Sequence, residues 1–466
     1  MSASFDIVII GSGPGGYVAA IRAAQLGLAT AVVEKEPSPG GTCLHTGCIP
    51  AKALLRTAEI LDTARESAAF GVRIAGAELD VDAMHVYRKK CITANVKGVE
   101  FLFKKNGVKL LQGRGSLAGA RSVRVAPPQG EPYTVEARHV VLATGSVIRG
   151  LPGLELDGQR VLSSDHALEL PRVPRSMIVV GAGAVGVELA SAYRSFGSEI
   201  TLLELLPQLI PLEDADLGKE LERVFKKRGI AVHTAAKLEQ VTTTDQGVRV
   251  RMTKAGKTTD LEAETLLVAI GRKPLTDGLG LAAAGVDVDE RGFVRVDPLM
   301  RTSLEGVYAI GDLVPTQALA HVASHEGIVA VEHAAGKNPT PVDYDRVPSC
   351  TYCHPEVGSI GLTESRARER GHDVVVGRFP FTAIGKAKIL NDTTGFIKIV
   401  AEKKYDEVLG VHIIGPHATE LIAEASAALA LEATAESLIH AIHAHPTLSE
   451  AMGEAALAVH GRAIHV

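Results

Sequence analysis

The chain has 466 residues, a formal net charge of -5 at pH 7, 46% hydrophobic and 22% charged residues, and 47 glycines with no tryptophan. That length exceeds one hydrophobic core and predicts about three domains. The composition is that of a soluble α/β protein with many tight turns. It offers no basic stripe for a nucleic acid and no apolar run near the roughly 20 residues that span a bilayer, so neither nucleic acid nor membrane is expected as a partner.

Phe5-Asp6-Ile7-Val8-Ile9-Ile10 reads as a strand from the outset, which leaves no room for a cleaved signal peptide. It runs into Gly11-Ser12-Gly13-Pro14-Gly15-Gly16, a Gly-x-Gly-x-x-Gly turn opening the helical pattern Tyr17 to Leu26. Glycines there let the backbone approach a pyrophosphate, whose charge is favoured at a helix N-terminus. A second apolar run ends in Val32-Val33-Glu34, placing a carboxylate where it can accept from a ribose.

Next comes Gly40-Gly41-Thr42-Cys43-Leu44-His45-Thr46-Gly47-Cys48-Ile49-Pro50-Ala51-Lys52. Pro50 suits a first helical turn, so Cys48 is expected at a positive helix end that favours its thiolate. Lys52 falls on the same helix face. The bland alternatives are a solvated lysine and, for the cysteines, two inert buried thiols or a zinc half-site completed by Cys350 and Cys353. Against zinc, Thr351-Tyr352 reads as strand and not as a metal knuckle, so no metal is predicted. The remaining cysteine, Cys91, is predicted to be a core residue. Five cysteines at irregular spacing do not form a secreted disulfide framework, and they predict a cytoplasmic protein.

Pro127-Pro128-Gln129-Gly130-Glu131 marks a hairpin turn, after which Val140-Val141-Leu142-Ala143-Thr144-Gly145 returns as a buried strand. The dinucleotide pattern then recurs. Ile178-Val179-Val180 leads into Gly181-Ala182-Gly183-Ala184-Val185-Gly186, and Leu202-Leu203-Glu204 repeats the acidic strand end. Gly11 and Gly181, Gly13 and Gly183, Gly16 and Gly186, Gly27 and Gly197, and Glu34 and Glu204 are all separated by one interval. A single glycine fingerprint is weak evidence; two in register are strong. Two such sites predict a bound flavin and an exchanging nicotinamide cofactor. Glu204 favours the free 2′-hydroxyl of NAD, and Glu204-Leu205-Leu206-Pro207 lacks the arginines that NADP would need.

Leu266 to Arg272 and Gly306 to Asp312 are further strand-then-glycine runs, the latter ending in an aspartate suited to a ribityl hydroxyl. A Pro-containing linker around Asn338-Pro339-Thr340-Pro341 precedes an α+β segment. In that segment His443-Ala444-His445-Pro446-Thr447-Leu448-Ser449-Glu450 supplies a candidate base. Glu450 orients the His445 ring in one reading. In the other, Thr447-x-x-Glu450 is a helix capping box. The expected fold is α/β: two Rossmann-like dinucleotide-binding domains, for FAD and NAD, plus a C-terminal α+β dimerisation domain. The expected divisions are 1–150 for FAD and the redox cysteines, 151–275 for NAD, 276–345 completing the FAD domain, and 346–466 for the interface.

The ordered motifs Gly11–Gly16, Gly41–Lys52, Thr144-Gly145-Ser146, Gly181–Glu188, Gly271-Arg272, Gly311-Asp312 and His445–Glu450 resemble the pyridine nucleotide-disulfide oxidoreductases along nearly the whole chain. Within that family they resemble the branch that oxidises dihydrolipoyl groups with NAD. The resemblance implies that Cys43 faces the substrate and Cys48 the flavin. It also implies that Lys52 pairs with Glu188 and that His445 is a base oriented by Glu450. One non-covalent FAD per subunit would be held by Gly11, Gly13, Gly16, Glu34, Lys35, Gly41, Thr42, Lys52, Gly115, Thr144, Gly145, Ser146 and Asp312, with Ala318, Leu319, Ala320 and His321 approaching the flavin. NAD would lie against Gly181, Ala182, Gly183, Ala184, Val185, Gly186, Glu188, Glu204, Gly271 and Arg272.

The implied assembly is a homodimer in which each His445 serves the cysteine pair of the other subunit. Its implied partner is a lipoyl-bearing E2 or H-protein of a multienzyme complex. His45-Thr46 departs from the Asn-Val of many members. Two alternatives accompany this reading: a disulfide reductase of the glutathione type, and a mainly non-catalytic docking subunit.

Overall fold

The computed structural model describes residues 4–466. The chain divides into two compact units. The first comprises the chain up to Ala53, Asp82–Arg149 and Gly271–Tyr344; the second comprises Leu54–Val81, Gly150–Ile270 and Asp345–Val466.

The first unit is built on a parallel sheet in which Lys109–Gln112, Thr30–Glu34, Ser4–Ile10 and Tyr133–Leu142 lie side by side, with Val307–Ala309 beside the last. Ile7, Val8, Ile9, Val32, Val140 and Val141 are fully buried. Such two-sided burial explains why these strands read as unbroken apolar runs; each side chain contributes about 1.5–3 kcal/mol. Ser122–Ala126 pairs antiparallel with the start of Tyr133–Leu142, so the stretch Pro127–Glu131 lies in a hairpin turn. The helix Pro14–Gln25 buries Gly15, Gly16, Ala19, Ala20 and Ala23. It packs closely on Ala320–Ala334, where a Cβ on Gly327 would come 2.8 Å from the Gly15 carbonyl oxygen.

In the second unit the plan repeats. Ala231–His233, Glu199–Leu203, Ser176–Val180, Thr265–Val268 and Val161–Leu162 form a parallel sheet, accompanied by the antiparallel strands Ala236–Thr244, Gly247–Lys254 and Lys257–Ala263. The same unit contains a five-stranded antiparallel sheet in the order Ser349–Thr351, Glu356–Gly361, Val408–Gly415, Phe396–Glu402, Val374–Pro380. Its core of Phe379, Phe381, Ile397, Ile399 and Ile413 is covered by the helices Ala418–Ala430 and Glu450–Val459. Residues 54–81, expected with the first domain, belong to this second unit. Cys91 is half-buried on the helix Val81–Asn106, outside the buried core expected for it, because it occupies a partly exposed position of a long surface helix.

Candidate active site

The two glycine turns have one geometry. Gly11 and Gly181 have φ of 103° and 100°, and a Cβ on either would lie 2.4 Å from a carbonyl oxygen, that of Ala143 or Ala269. Only glycine tolerates this combination. A Cβ on Gly16 or Gly186 would strike the Gly11 or Gly181 carbonyl, whereas one on Gly13 or Gly183 would meet open space. Gly13 and Gly183 begin their helices without any side-chain cap. Both turns therefore present a bare helix N-terminus beside an open cradle, which fits a dinucleotide pyrophosphate.

The acidic strand ends also match. Glu34 Oε2 accepts from Ser12 N–H at 3.0 Å and Oε1 from Glu36 N–H at 2.9 Å. In the second turn, Glu204 Oε2 accepts from Ala182 N–H at 2.7 Å and Oε1 from Leu206 N–H at 2.8 Å. Both carboxylates are buried and pinned next to their turns, each with lone pairs left for a ribose.

The redox loop is a short helix, Gly41–His45, followed by the long helix Cys48–Glu66. Cys48 opens the second helix, with Pro50 in its first turn. Gly41 is drawn against the first glycine turn, since a Cβ there would lie 2.7 Å from Gly13 Cα. His45 Nε2 lies 3.1 Å from the Pro39 carbonyl oxygen, which ties the departing residue to its own loop. Cys43 and Cys48 are half-buried thiols. The hydrogen bond between them, then burial, push the Cys43 thiol up, while the Lys52 charge opposes the rise. Tyr17, which the sequence did not single out, is half-buried near both thiols; burial first, then their charges, raise its phenol.

Ser146 Oγ donates to Asp312 Oδ2, while Arg272 Nε donates to Ser146 Oγ at 2.7 Å and Arg272 Nη2 to the Ser146 carbonyl oxygen at 2.8 Å. Gly271 and Arg272, expected on the nicotinamide side, thus lie in the first unit, where Arg272–Pro274 pairs with Ser146–Ile148. Glu326 is fully buried below this turn. It accepts Gly311 N–H at 2.6 Å on one oxygen, and the Thr316 and Tyr344 hydroxyls at 2.7 and 2.9 Å on the other. A lone carboxylate on the apolar face of Ala320–Ala334 was the available signal for it. Thr144 Oγ1 donates to the Leu275 carbonyl at 2.8 Å. Gly115 packs where a Cβ would lie 2.8 Å from Ile10 Cγ2. Ala318 and Leu319 lead into the helix that Ala320 and His321 begin, and Lys35 is exposed beside Glu36.

In the second unit Glu188 Oε1 accepts Tyr352 N–H at 3.0 Å. His445 Nδ1 lies 2.8 Å from Glu450 Oε1, and Thr447 N–H donates to Glu450 Oε2 at 2.9 Å. Glu450 thus makes both bonds that the sequence offered, to the His445 ring and to the Thr447 backbone, but the expected capping box does not form: the helix starts at Glu450 with Ser449 as its N-cap, and the Thr447 hydroxyl donates to the Ala444 carbonyl. His445 borders a cleft of about 230 Å3 with two further imidazole–carboxylate pairs, His443–Glu424 at 2.6 Å and His465–Glu454 at 2.7 Å. Cys353 is buried, its thiol 3.1 Å from the Pro355 carbonyl oxygen, and Cys350 lies 3.8 Å from the Thr419 carbonyl oxygen. Among the described residues no group of three or more His, Cys, Asp and Glu is arranged to hold a metal ion, and no helix is long and apolar enough to cross a membrane.

A dithiol pair and two dinucleotide turns in one chain define a disulfide oxidoreductase. The chain belongs to the pyridine nucleotide-disulphide oxidoreductases: the family model matches residues 5–327 and that of the family's dimerisation domain matches residues 347–456. Among similar proteins, dihydrolipoyl dehydrogenase of Bacillus subtilis is 47% identical over the full length of both chains. Mitochondrial dihydrolipoyl dehydrogenase of Pisum sativum is 42% identical, covering 99% of this chain and 92% of its own. Leghemoglobin reductase of Glycine max is 42% identical over 98% of this chain and 88% of its own. The crystal structure of LpdA from Mycobacterium tuberculosis superposes with a TM-score of 0.90 at 29% identity, covering 97% of this chain and 99% of that one.

Proposed function

We propose that this chain is a dihydrolipoyl dehydrogenase, oxidising a protein-bound dihydrolipoyl group and reducing NAD. The observation that carries this reading is the hydrogen-bonded pair Cys43 and Cys48 at the start of a helix, in the same unit as the first glycine turn. Its full-length likeness to dihydrolipoyl dehydrogenases selects the dithiol.

In the oxidised enzyme Cys43 and Cys48 form a disulfide. Glu450 accepts the Nδ1 proton of a neutral His445 ring, so Nε2 carries the lone pair. Nε2 takes the proton from one substrate thiol, and the resulting thiolate attacks Cys43 Sγ. The Cys43–Cys48 bond breaks, Cys48 leaves as a thiolate at its helix N-terminus, and substrate and Cys43 form a mixed disulfide. The second substrate thiol then displaces Cys43 and passes its own proton to the departing Cys43 sulfur, so that Cys43 leaves as a thiol, the first proton stays on His445, and substrate departs as a cyclic disulfide. Two electrons now reside on the cysteine pair. Gly11, Gly13, Gly16, Gly41, Glu34, Ser146 and Asp312 would hold FAD, which would supply the two-electron redox chemistry that links the cysteine pair to NAD. Gly181, Gly183, Gly186 and Glu204 hold NAD, Glu204 accepting from its ribose. The chain works as a homodimer in which each His445 serves the other subunit's cysteines. The lipoyl group rides on an E2 or H-protein, and the cytoplasm is the proposed setting.

The test is NADH formation from NAD and free dihydrolipoamide, run beside NADPH oxidation by glutathione disulfide. Turnover in the first alone, abolished by Cys43→Ser or Cys48→Ser with FAD retained, is the expected result. Turnover in the second alone would replace the substrate assignment with a glutathione-type one.

A further inference from the structure

A cavity of about 730 Å3 lies in the first unit where Tyr133–Leu142 and Val307–Ala309 enter the parallel sheet, at the opposite ends of these strands from the Gly11–Gly16 turn. Ligands of such sheets sit at the carboxyl ends of strands, so this concavity is separate from the site described above. Its volume falls within the range of small-molecule pockets.

Four arginines converge on it. Arg301 is held by Asp297 at 2.6 Å, and Arg138 lies 3.4 Å from Asp6. Among the described residues no carboxylate lies within ion-pair distance of Arg121 or Arg295, although both border the same space. Glu305 is the remaining acidic residue in the lining. Surface arginines are commonly solvated singly; two uncompensated guanidiniums sharing a concavity with two compensated ones create a field that favours an anion. Three rings, those of His139, Tyr308 and His333, form part of the wall. Tyr308 stands edge-on to His139 and to His333, with ring centroids 6.1 and 5.8 Å away, and its hydroxyl lies 2.9 Å from His333 Nδ1. His139 borders the same space, and its Nδ1 is buried with no hydrogen-bond partner among the described residues.

We infer that this cavity binds a nucleoside diphosphate, its phosphates on Arg121 and Arg295 and its heterocycle against His139, Tyr308 and His333. Guanidiniums match phosphate oxygens in pairs, and the three rings supply the apolar contact that a bare anion does not use. This inference is independent of the dithiol chemistry.

The experiment is calorimetric titration of the purified holoenzyme with ADP, adenosine and inorganic pyrophosphate. ADP is expected to show two classes of site, one weakened in Glu204→Ala and the other weakened about tenfold or more in the double variant Arg121→Ala/Arg295→Ala. Both arginines are exposed, so the double variant should retain its flavin absorbance and Tm, and the single variants Arg121→Gln and Arg295→Gln should each weaken the same class. An ADP isotherm unchanged by the double variant would overturn the site. Pyrophosphate or adenosine binding there as tightly as ADP would overturn the nucleotide assignment.

Discussion

His445 Nδ1 lies 2.8 Å from one oxygen of Glu450, while the other oxygen of that carboxylate accepts the Thr447 N–H at 2.9 Å. One side chain thus aims the ring and anchors the start of the helix that carries it. Burial pushes the Glu450 carboxyl up, but the hydrogen bonds from His445 and Thr447 outweigh it and hold the group below the usual carboxylate range. That shift favours the charged acceptor facing the His445 ring. In His445→Gln, dithiol turnover should fall by about 100-fold or more, the scale of a lost general base. NADH oxidation by an artificial acceptor, which bypasses the cysteines, should survive. Steady-state rates with dihydrolipoamide and with a quinone check this; an equal loss in both would make His445 a structural residue.

Glu204 is predicted to set cofactor choice. Its carboxylate is fixed by Ala182 and Leu206 N–H groups and cannot swing away, so an incoming 2′-phosphate meets a negative charge held in place. Glu204→Ala should lower kcat/KM for NAD by about 10- to 100-fold, the value of a hydrogen bond to a charged group. It should narrow the preference over NADP from both sides. Comparing kcat/KM for the two cofactors tests this, and an unchanged ratio would remove Glu204 from the ribose site.

Glu326 is predicted to control flavin retention without touching the flavin. It alone accepts the Gly311 N–H that begins the turn carrying Asp312, together with two hydroxyls. Glu326→Ala strands three donors, each at about 1–3 kcal/mol, and loosens the turn. FAD should dissociate at least tenfold more readily, measured by release of flavin fluorescence. Glu326→Gln keeps an acceptor oxygen for part of the set and should fall between.

The parts of this molecule legible in the sequence are those where local sterics leave one residue type. Gly11 and Gly181 must be glycine because backbone occupies the Cβ position at positive φ, and their repetition made the double-nucleotide plan visible. Strands buried on both faces were legible as apolar runs. Long-range polar partnerships were not. Arg272 stands next to a glycine of the second repeat in sequence, yet its bonds go to Ser146 through strand pairing. Glu326 accepts from residues 10, 15 and 18 positions away, contacts that helix periodicity does not encode. Glu450 presented two local readings; its two oxygens meet both the His445 ring and the Thr447 N–H, but the capping box itself does not form, because the helix begins only at Glu450.

Lys398 supplies a pH test of stability. It interrupts the apolar strand Phe396–Glu402 and is almost fully buried, with Nζ 2.9 Å from Asp214, 2.8 Å from Asp216 and 2.9 Å from Glu364. Burial opposes the Lys398 charge, but its three carboxylate partners raise it above the usual lysine value. Burial likewise opposes the Asp214 charge, yet His412 and Lys398 hold it below the usual range, and Lys398 does the same for Glu364. The depressed carboxylates contribute stability above their unfolded values of about 4 and lose it as pH falls through their folded ones. The raised lysine contributes below about 10.4 and loses it only as pH rises through its folded value. Lys398→Met removes the buried cation from all three carboxylates; Glu364 keeps Arg368 and Asp216 keeps Lys219, but buried Asp214 loses its only lysine or arginine partner among the described residues, and the cost should be about 3–5 kcal/mol near neutrality. The Tm difference from wild type, followed by calorimetry, should be widest between about pH 5 and pH 10 and narrow below about pH 4, as pH falls through the lowered folded values of the carboxylates. A difference independent of pH would mean that Lys398 acts through packing of its alkyl chain instead of through its charge.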